Sequence, residues 1–214
     1  MPVIALLRHG QASFGTDDYD VLSDLGREQA RVAGEALAAR GLRSPVMVSG
    51  SLRRQRDTAR IAADVLGIDD VAADARFDEF DAHAAVEAHL GAPGATQGMS
   101  SREFQSHLDQ AMETWMREGD PRWRAFVDGA LAGLSDLAAS LPSGCDAIVT
   151  TSAGVTAGIT GSLLSCAPEG VIALNRVSVN ASITTVVHGS RGLSLVTFND
   201  HAHLLRDRRL LTNR

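Results

Sequence analysis

Cysteine and long apolar runs are both scarce in this sequence. Its two cysteines, Cys145 and Cys166, form no CxxC motif and predict no disulfide framework. The N-terminal apolar run, residues 3–7, stops at Arg8 and is too short for a signal peptide or a membrane span. No other window approaches the roughly 18 apolar residues of a transmembrane helix. We therefore expect a cytoplasmic protein with no membrane partner.

An excess of basic residues is also lacking. The 214 residues carry a formal net charge of −6, which argues against a general nucleic-acid surface. Hydrophobic residues make up 44% of the chain, which provides enough material for a buried core. The length favours a single domain over residues 1–214 and leaves a homodimer open.

The first third of the chain alternates between strand and helix patterns. Residues 3–7 and 45–48 are short apolar runs typical of buried parallel strands. Helices are predicted from Ser23 to Arg40 and from Leu52 to Leu66. This order predicts an α/β fold of three layers, α/β/α, with a mostly parallel central sheet.

Residues 80–142 contain no convincing strand. The stretch Ser100-Ser101-Arg102-Glu103 is a capping box, and Asp120-Pro121 is typical of a second helix start. We predict that residues 80–142 form a helical insertion over one end of the sheet and select the substrate.

Strand patterns return after the insertion. Residues 147–151 predict a strand and residues 154–164 a Gly/Ala-rich helix. Residues 183–188 and 193–198 predict a final pair of strands, and residues 206–214 are expected to form a solvated tail.

The turn Arg8-His9-Gly10 follows the first strand, where ligands of α/β sheets bind. A neutral histidine ring nitrogen can attack phosphorus and form a phosphohistidine. The neighbouring arginine has donors that match phosphoryl oxygens, and Gly10 lets the backbone approach a ligand. An ordinary surface turn is the alternative interpretation.

A second basic motif follows the second strand. Four arginines, Arg53, Arg54, Arg56 and Arg60, lie at the start of the predicted second helix. A helix N-terminus favours anions, and an arginine there adds charge and directed donors. Most of the four are nevertheless expected to be solvated, as arginine runs commonly are.

Three motifs together resemble the histidine phosphatase superfamily, also called the phosphoglycerate-mutase-like family. They are Leu7-Arg8-His9-Gly10-Gln11-Ala12, then Leu22-Ser23-Asp24-Leu25-Gly26-Arg27-Glu28-Gln29-Ala30, then Ser51-Leu52-Arg53-Arg54 with Thr58-Ala59. Their order and spacing make the resemblance specific, and with the strand order it covers essentially the whole chain.

The resemblance implies phosphomonoester hydrolysis through a phosphohistidine at His9, without metal or organic cofactor, on a small phosphorylated metabolite. Arg8, Arg54 and Gly10 would bind the phosphoryl group, with Gln11 as a further candidate. The proton donor of the family is a carboxylate after the third strand, where Glu79 is the first candidate and Asp78 the second. The alternative for Glu79 is an ordinary surface carboxylate.

One position departs from the family. Aligning Gly154 and Val155 puts Ser152 where the family carries a second histidine, so Ser152 would offer the phosphoryl group a neutral donor. The protein would then be a slow phosphatase, a non-catalytic binder of a phosphorylated ligand, or an enzyme that recruits another histidine. His201 and His203, after the last strand, are the candidates for that histidine.

Two other activities remain as alternatives. Thr150-Thr151-Ser152-Ala153-Gly154 resembles the nucleophile elbow of a serine hydrolase, with Asp200 and His201 or His203 following in sequence, but its first glycine is missing. A mutase is disfavoured, because residues 13–19 lack the Trp/Asn-containing stretch that family mutases carry. His201-Ala202-His203 has no evident third metal ligand, so no metal site is predicted.

Overall fold

A computed structural model describes residues 1–13 and 20–213. Residues 14–19, on which the argument against a mutase rests, lie outside the described residues. The strands are β1 (Val3–Arg8), β2 (Val46–Ser49), β3 (Val71–Ala73), β4 (Ala147–Thr151), β5 (Ile183–Gly189) and β6 (Gly192–Asp200). The helices are α1 (Asp24–Ala39), α2 (Arg53–Leu66), α3 (Ala82–Leu90), α4 (Ser101–Arg117), α5 (Pro121–Ser140), α6 (Ala153–Leu163) and α7 (Pro168–Val177).

The strands form one sheet in the order β3-β2-β4-β1-β5-β6. The first four strands are parallel, and β5 is antiparallel to β1 and β6. Arg8 pairs with Thr151, and Ser49 with Thr150, so β1, β2 and β4 end side by side. This shared edge carries the turns that follow these three strands.

Helices cover both faces of the sheet, which confirms the three-layer α/β/α prediction. On one face α5 and α6 bury Leu134 and Ile159 against Leu6 and Val149 of the sheet. On the other face α1 and α2 bury Leu37 and Ala62 against the alternate strand residues. Each strand contributes to both layers because its successive side chains point to opposite faces of the sheet.

The helical insertion is smaller than the predicted residues 80–142. Helices α3 and α4 pack with α7 around a separate core that contains Val86, Met112 and Ile172. Helix α5 instead packs directly on the sheet through Ala130 and Leu134, so it belongs to the main layers. We call α3 and α4 the cap.

The predicted solvated tail is only partly correct for residues 206–213, which are mostly exposed but are anchored at one position. Leu210 is buried in a small cluster with Val32 and Leu204, and this cluster fixes the end of the chain against α1. The same segment continues past the edge of the sheet that carries His9. No helix among the described residues has the length and apolarity needed to cross a membrane.

Candidate active site

His9 stands immediately after β1 and is almost completely buried. Its backbone amide donates to the Thr151 carbonyl at 2.9 Å, which extends the pairing of β1 and β4 by one residue. Its ring Nδ1 lies 2.7 Å from the Gly10 carbonyl. Since a carbonyl can only accept, Nδ1 carries the proton and the lone pair is on Nε2.

Arg54 approaches that lone pair. Its Nε donates to His9 Nε2 at 3.3 Å. Burial, and next the positive charges of Arg54 and Arg8, hold the pKa of His9 well below its usual value. The imidazole is therefore neutral, with its nucleophilic nitrogen beside a guanidinium.

Asp20, which the sequence motifs did not single out, positions Arg54. Its carboxylate accepts from Nη1 of Arg54 at 2.7 Å and from the backbone amide of Arg53, also at 2.7 Å. Asp20 thus occupies the anion-binding start of α2 and holds the Arg54 side chain. Asp20 lies two residues before the Leu22-Ser23 motif, in an acidic stretch of the sequence. That acidic composition was the only sequence feature that could have drawn attention to Asp20.

The four arginines of the basic motif separate as expected. Arg54 is largely buried, with 12% of its side chain exposed. Arg53, Arg56 and Arg60 are exposed on the outer side of α2. One arginine of this run therefore faces the site.

Arg8 is the second cation beside His9. It is 8% exposed, and its guanidinium donates to the Ser178 carbonyl and, at 3.4 Å, to the Asn213 carbonyl. Its charge lowers the pKa of both His9 and Glu79. Arg8 and Arg54 therefore act on the same two groups, as the sequence motifs predict.

Glu79 lies at the N-terminus of α6. Its Oε2 accepts from the Gly154 amide at 2.8 Å and its Oε1 accepts from the Phe80 amide at 3.2 Å. A Cβ at Gly154 would lie 2.2 Å from the carboxylate, so this approach requires glycine. Burial raises the pKa of the Glu79 carboxyl above its usual value, and the Gly154 amide and Arg54 only partly offset that rise.

Asp78, the second candidate for the proton donor, points elsewhere. Its two carboxylate oxygens accept from the backbone amide and the hydroxyl of Ser51. Asp78 therefore ties the loop after β3 to the start of α2. Glu79 is the carboxylate that the structure places among the charges of Arg8 and Arg54.

Comparison with known proteins identifies the family of the chain. The sequence model of the histidine phosphatase superfamily, branch 1, matches residues 4–201. The chain belongs to the histidine phosphatase superfamily.

The curated relatives that resemble the chain include both phosphatases and mutases. A glucosyl-3-phosphoglycerate phosphatase of Mycolicibacterium vanbaalenii is 38% identical over 127 residues, which cover 56% of this chain and 49% of the relative. A 2,3-bisphosphoglycerate-dependent phosphoglycerate mutase of a Hydrogenobaculum species is 31% identical over 127 residues, 56% of this chain and 48% of the relative. The chain thus spans about half the length of the curated relatives it matches.

Solved structures share the fold. A mycobacterial glucosyl-3-phosphoglycerate phosphatase in complex with inorganic phosphate superimposes with a TM-score of 0.67 at 24% identity, covering 95% of this chain and 99% of that chain. The structure named mycobacterial hydrolase 1 gives the same TM-score and identity, over 92% of this chain and 98% of that chain.

Ser152 is completely buried, and its Oγ accepts from Gln55 Nε2 at 2.8 Å. The same Nε2 also donates to the Phe77 carbonyl, and Gln55 Oε1 accepts from the Leu52 amide. The Ser152 hydroxyl therefore contacts Gln55, and its expected contact with a phosphoryl group stays a prediction. Gln55 was missed because a glutamine inside an arginine run has no chemical signature.

Gly10 and Gln11 pack the turn after β1 against neighbouring elements. The Gly10 amide donates to the Thr58 hydroxyl, and a Cβ at Gly10 would lie 2.2 Å from the Gly26 carbonyl. The Gln11 side chain accepts from the Ser23 hydroxyl. Both residues shape the turn against α1 and α2, and their expected contacts with a phosphoryl group stay predictions.

The two C-terminal histidines do not join Ser152. His201 Nδ1 pairs with the Asn199 carbonyl, and His203 Nε2 lies 3.0 Å from the Ala181 carbonyl. Since the Ser152 hydroxyl faces Gln55 instead, the Ser-His pair of the serine-hydrolase alternative is not formed. Over residues 1–13 and 20–213, no group of three or more His, Cys, Asp or Glu residues could hold a metal ion.

Proposed function

We propose that this histidine phosphatase hydrolyses a small phosphomonoester through a phosphohistidine at His9. One observation carries the proposal: the lone pair of a neutral, buried His9 Nε2 lies 3.3 Å from the Arg54 guanidinium. A phosphoryl group that displaces the bond between these two nitrogens would meet the nucleophile and a cation that matches its oxygens.

The first step forms a bond between Nε2 and phosphorus and breaks the bond from phosphorus to the ester oxygen. The departing oxygen keeps the electron pair and takes the proton of Glu79. Because the pKa of Glu79 is raised, its carboxyl stays protonated to a higher pH than an ordinary glutamate would. Arg8 and Arg54 stabilise the charge on the three remaining phosphoryl oxygens.

The second step reverses the role of Glu79. Its carboxylate takes a proton from water, and the oxygen of that water attacks phosphorus while the bond to Nε2 breaks. Inorganic phosphate leaves, His9 is neutral again and Glu79 is protonated. Hydrolysis rather than transfer to a second substrate is our preference, and the names of the curated relatives include both kinds of enzyme.

The test is hydrolysis of p-nitrophenyl phosphate by wild type and His9→Asn, with His201→Asn as a matched control because His201 bonds the Asn199 carbonyl of its own loop. We expect turnover by wild type and the control, and a loss on the order of 10³-fold or more in His9→Asn. A rapid quench should trap an acid-labile phosphoenzyme in wild type and in the control, but not in His9→Asn.

Three results would contradict the proposal. Binding of inorganic phosphate by calorimetry without turnover would favour the non-catalytic binder. Faster interconversion of phosphoglycerates than hydrolysis would favour a mutase. Labelling of Ser152 by a fluorophosphonate would favour a serine hydrolase.

A further inference from the structure

We propose that Thr212, near the C-terminus, is a positioning residue for the Arg8-His9-Gly10 turn. Thr212 lies more than 200 positions after that turn in sequence. A buried network of side-chain amides nevertheless joins it to the turn from two sides. The inference rests on the proposed function, because it concerns the same site.

The first side of the network passes through Asn180, which is completely buried. The Thr212 hydroxyl donates to the side-chain Oδ1 of Asn180 at 2.9 Å. The backbone amide of Asn180 donates to the backbone carbonyl of Thr212 at 2.8 Å. Asn180 Nδ2 in turn lies 3.4 Å from the His9 carbonyl, which also accepts from the Ala181 amide. The backbone of His9 is thus held from the side of Thr212.

The second side passes through Gln29 of α1, which is also completely buried. Its Nε2 donates to the Thr212 hydroxyl at 2.8 Å and to the Leu210 carbonyl at 2.9 Å. Its Oε1 accepts from the Gln11 amide at 2.7 Å. Gln29 therefore links Thr212 to the residue that directly follows the turn.

The neighbouring residue adds a contact to Arg8. The Asn213 carbonyl accepts from the Arg8 guanidinium at 3.4 Å, and the Ser178 carbonyl accepts from its other end. By fixing the backbone next to Asn213, Thr212 therefore places the carbonyl that accepts from Arg8, the proposed phosphate-binding arginine. Removing the Thr212 hydroxyl would leave a donor of Gln29 and an acceptor of Asn180 without this partner, so both buried amides would reorient.

The experiment compares Thr212→Val, which keeps the shape and loses the hydroxyl, with Thr212→Ser, which keeps the hydroxyl. For p-nitrophenyl phosphate we expect Thr212→Val to lower kcat about tenfold, with a smaller change in KM, because small misplacements of a nucleophile cost rate steeply. Thr212→Ser should recover kcat to within about threefold of wild type. Thr197→Val, on the exposed edge strand β6, is the matched control and should leave both constants unchanged.

Equal kcat and KM in folded Thr212→Val and wild type would overturn the inference, as would failure of Thr212→Ser to recover the rate. If Thr212→Val does not fold, Gln29→Glu tests the same link, because it keeps the acceptor for Gln11 and loses both donors to the tail. Absence of turnover in wild type would count against the proposed function instead. Calorimetry with inorganic phosphate then decides the inference, with weaker binding expected for Thr212→Val and equal binding contradicting it.

Discussion

At the scale of single residues, burial acts in opposite directions on the two proposed reacting groups. It disfavours the charged form of each, so it lowers the pKa of His9 and raises the pKa of Glu79. With usual values of about 6.5 and 4.3, a neutral histidine beside a protonated glutamate would be a rare combination. The two opposite shifts increase the population of that combination, which is the one that the proposed reaction needs.

We predict a bell-shaped pH dependence of kcat/KM from these shifts. The acidic limb, where His9 becomes protonated, should lie below the usual histidine pKa, because the pKa of His9 is lowered. The alkaline limb, where Glu79 loses its proton, should lie above the usual carboxyl pKa. Glu79→Gln should remove the alkaline limb and lower kcat about 10²-fold for an alkyl phosphate.

The leaving group provides a control within the same variant. Glu79→Gln should cost much less with p-nitrophenyl phosphate, because nitrophenolate leaves without needing a proton. Asp78→Asn is the matched carboxylate variant, since Asp78 bonds Ser51 instead of facing the site. Loss of the alkaline limb in Asp78→Asn but not in Glu79→Gln would reverse the assignment.

The residues that sequence motifs could predict are those with distinctive chemistry. Their positions after strand ends identify His9, Arg8, Arg54 and Glu79, and the structure brings these four together. The roles of Asp20 and of three residues with amide or hydroxyl side chains could not be predicted, because these roles come from contacts between distant parts of the chain. The three residues are Gln29, Asn180 and Thr212.

At the scale of elements, the helices with clear caps were predicted within one or two residues. Ser23 accepts from the Gly26 amide at the start of α1, and Ser100 forms the capping box of α4. Helix α7 was missed because only Val171 and Ile172 are buried on it, too few for a visible period.

A second lesson at this scale concerns Gln55, which joins three loops of the site. Its amide contacts the starts of α2 and α6 and the carbonyl of Phe77, two residues before Glu79. A Cβ at Gly50 would lie 2.0 Å from its Oε1, so the surrounding space is already filled. We therefore expect a histidine at position 152, where the resemblance places the second histidine of the family, to need more than one substitution.

We predict that Ser152→His alone lowers the free energy of unfolding by about 1–3 kcal/mol, because an imidazole overfills this buried position. Gln55→Ala alone should also destabilise, since it removes the bonds to Phe77 and Ser152. The double variant should recover part of the loss, with a coupling energy of about 1 kcal/mol or more in urea unfolding. Strictly additive effects would show that Gln55 does not occupy the space the histidine needs.

At the scale of the whole molecule, the cap is packed into the body of the protein. Phe80, next to Glu79, places its ring 5.7 Å from the Trp115 ring of α4 and 5.4 Å from the Phe126 ring of α5. Asp109 of α4 is buried and accepts from the Arg176 guanidinium of α7. The cap core is therefore joined to α7 and to α5, and α5 also covers the sheet.

We propose on this basis that residues 1–214 unfold as one domain. Both tryptophans of the chain, Trp115 and Trp123, lie where α4 meets α5, so tryptophan fluorescence reports on the cap. Far-UV circular dichroism reports on all helices and strands. Since the cap shares its core with α5 and α7, we expect the two signals to give coincident transitions in urea, with one midpoint.

A variant at the junction of α4 and α5 tests whether the cap and the sheet layers unfold together. Phe80→Ala removes the ring that contacts both α4 and α5, and it should lower the free energy of unfolding by about 2 kcal/mol while both transitions move together. Phe198→Ala on the edge strand β6 is the matched control, since both side chains are partly buried, and it should cost less because Phe198 lies at the edge of the sheet instead of among the rings of α4 and α5. A fluorescence transition that precedes the circular dichroism transition in wild type would mean that the cap unfolds separately. The substrate-selecting wall that we expect the cap to form would then open independently of His9 and Glu79.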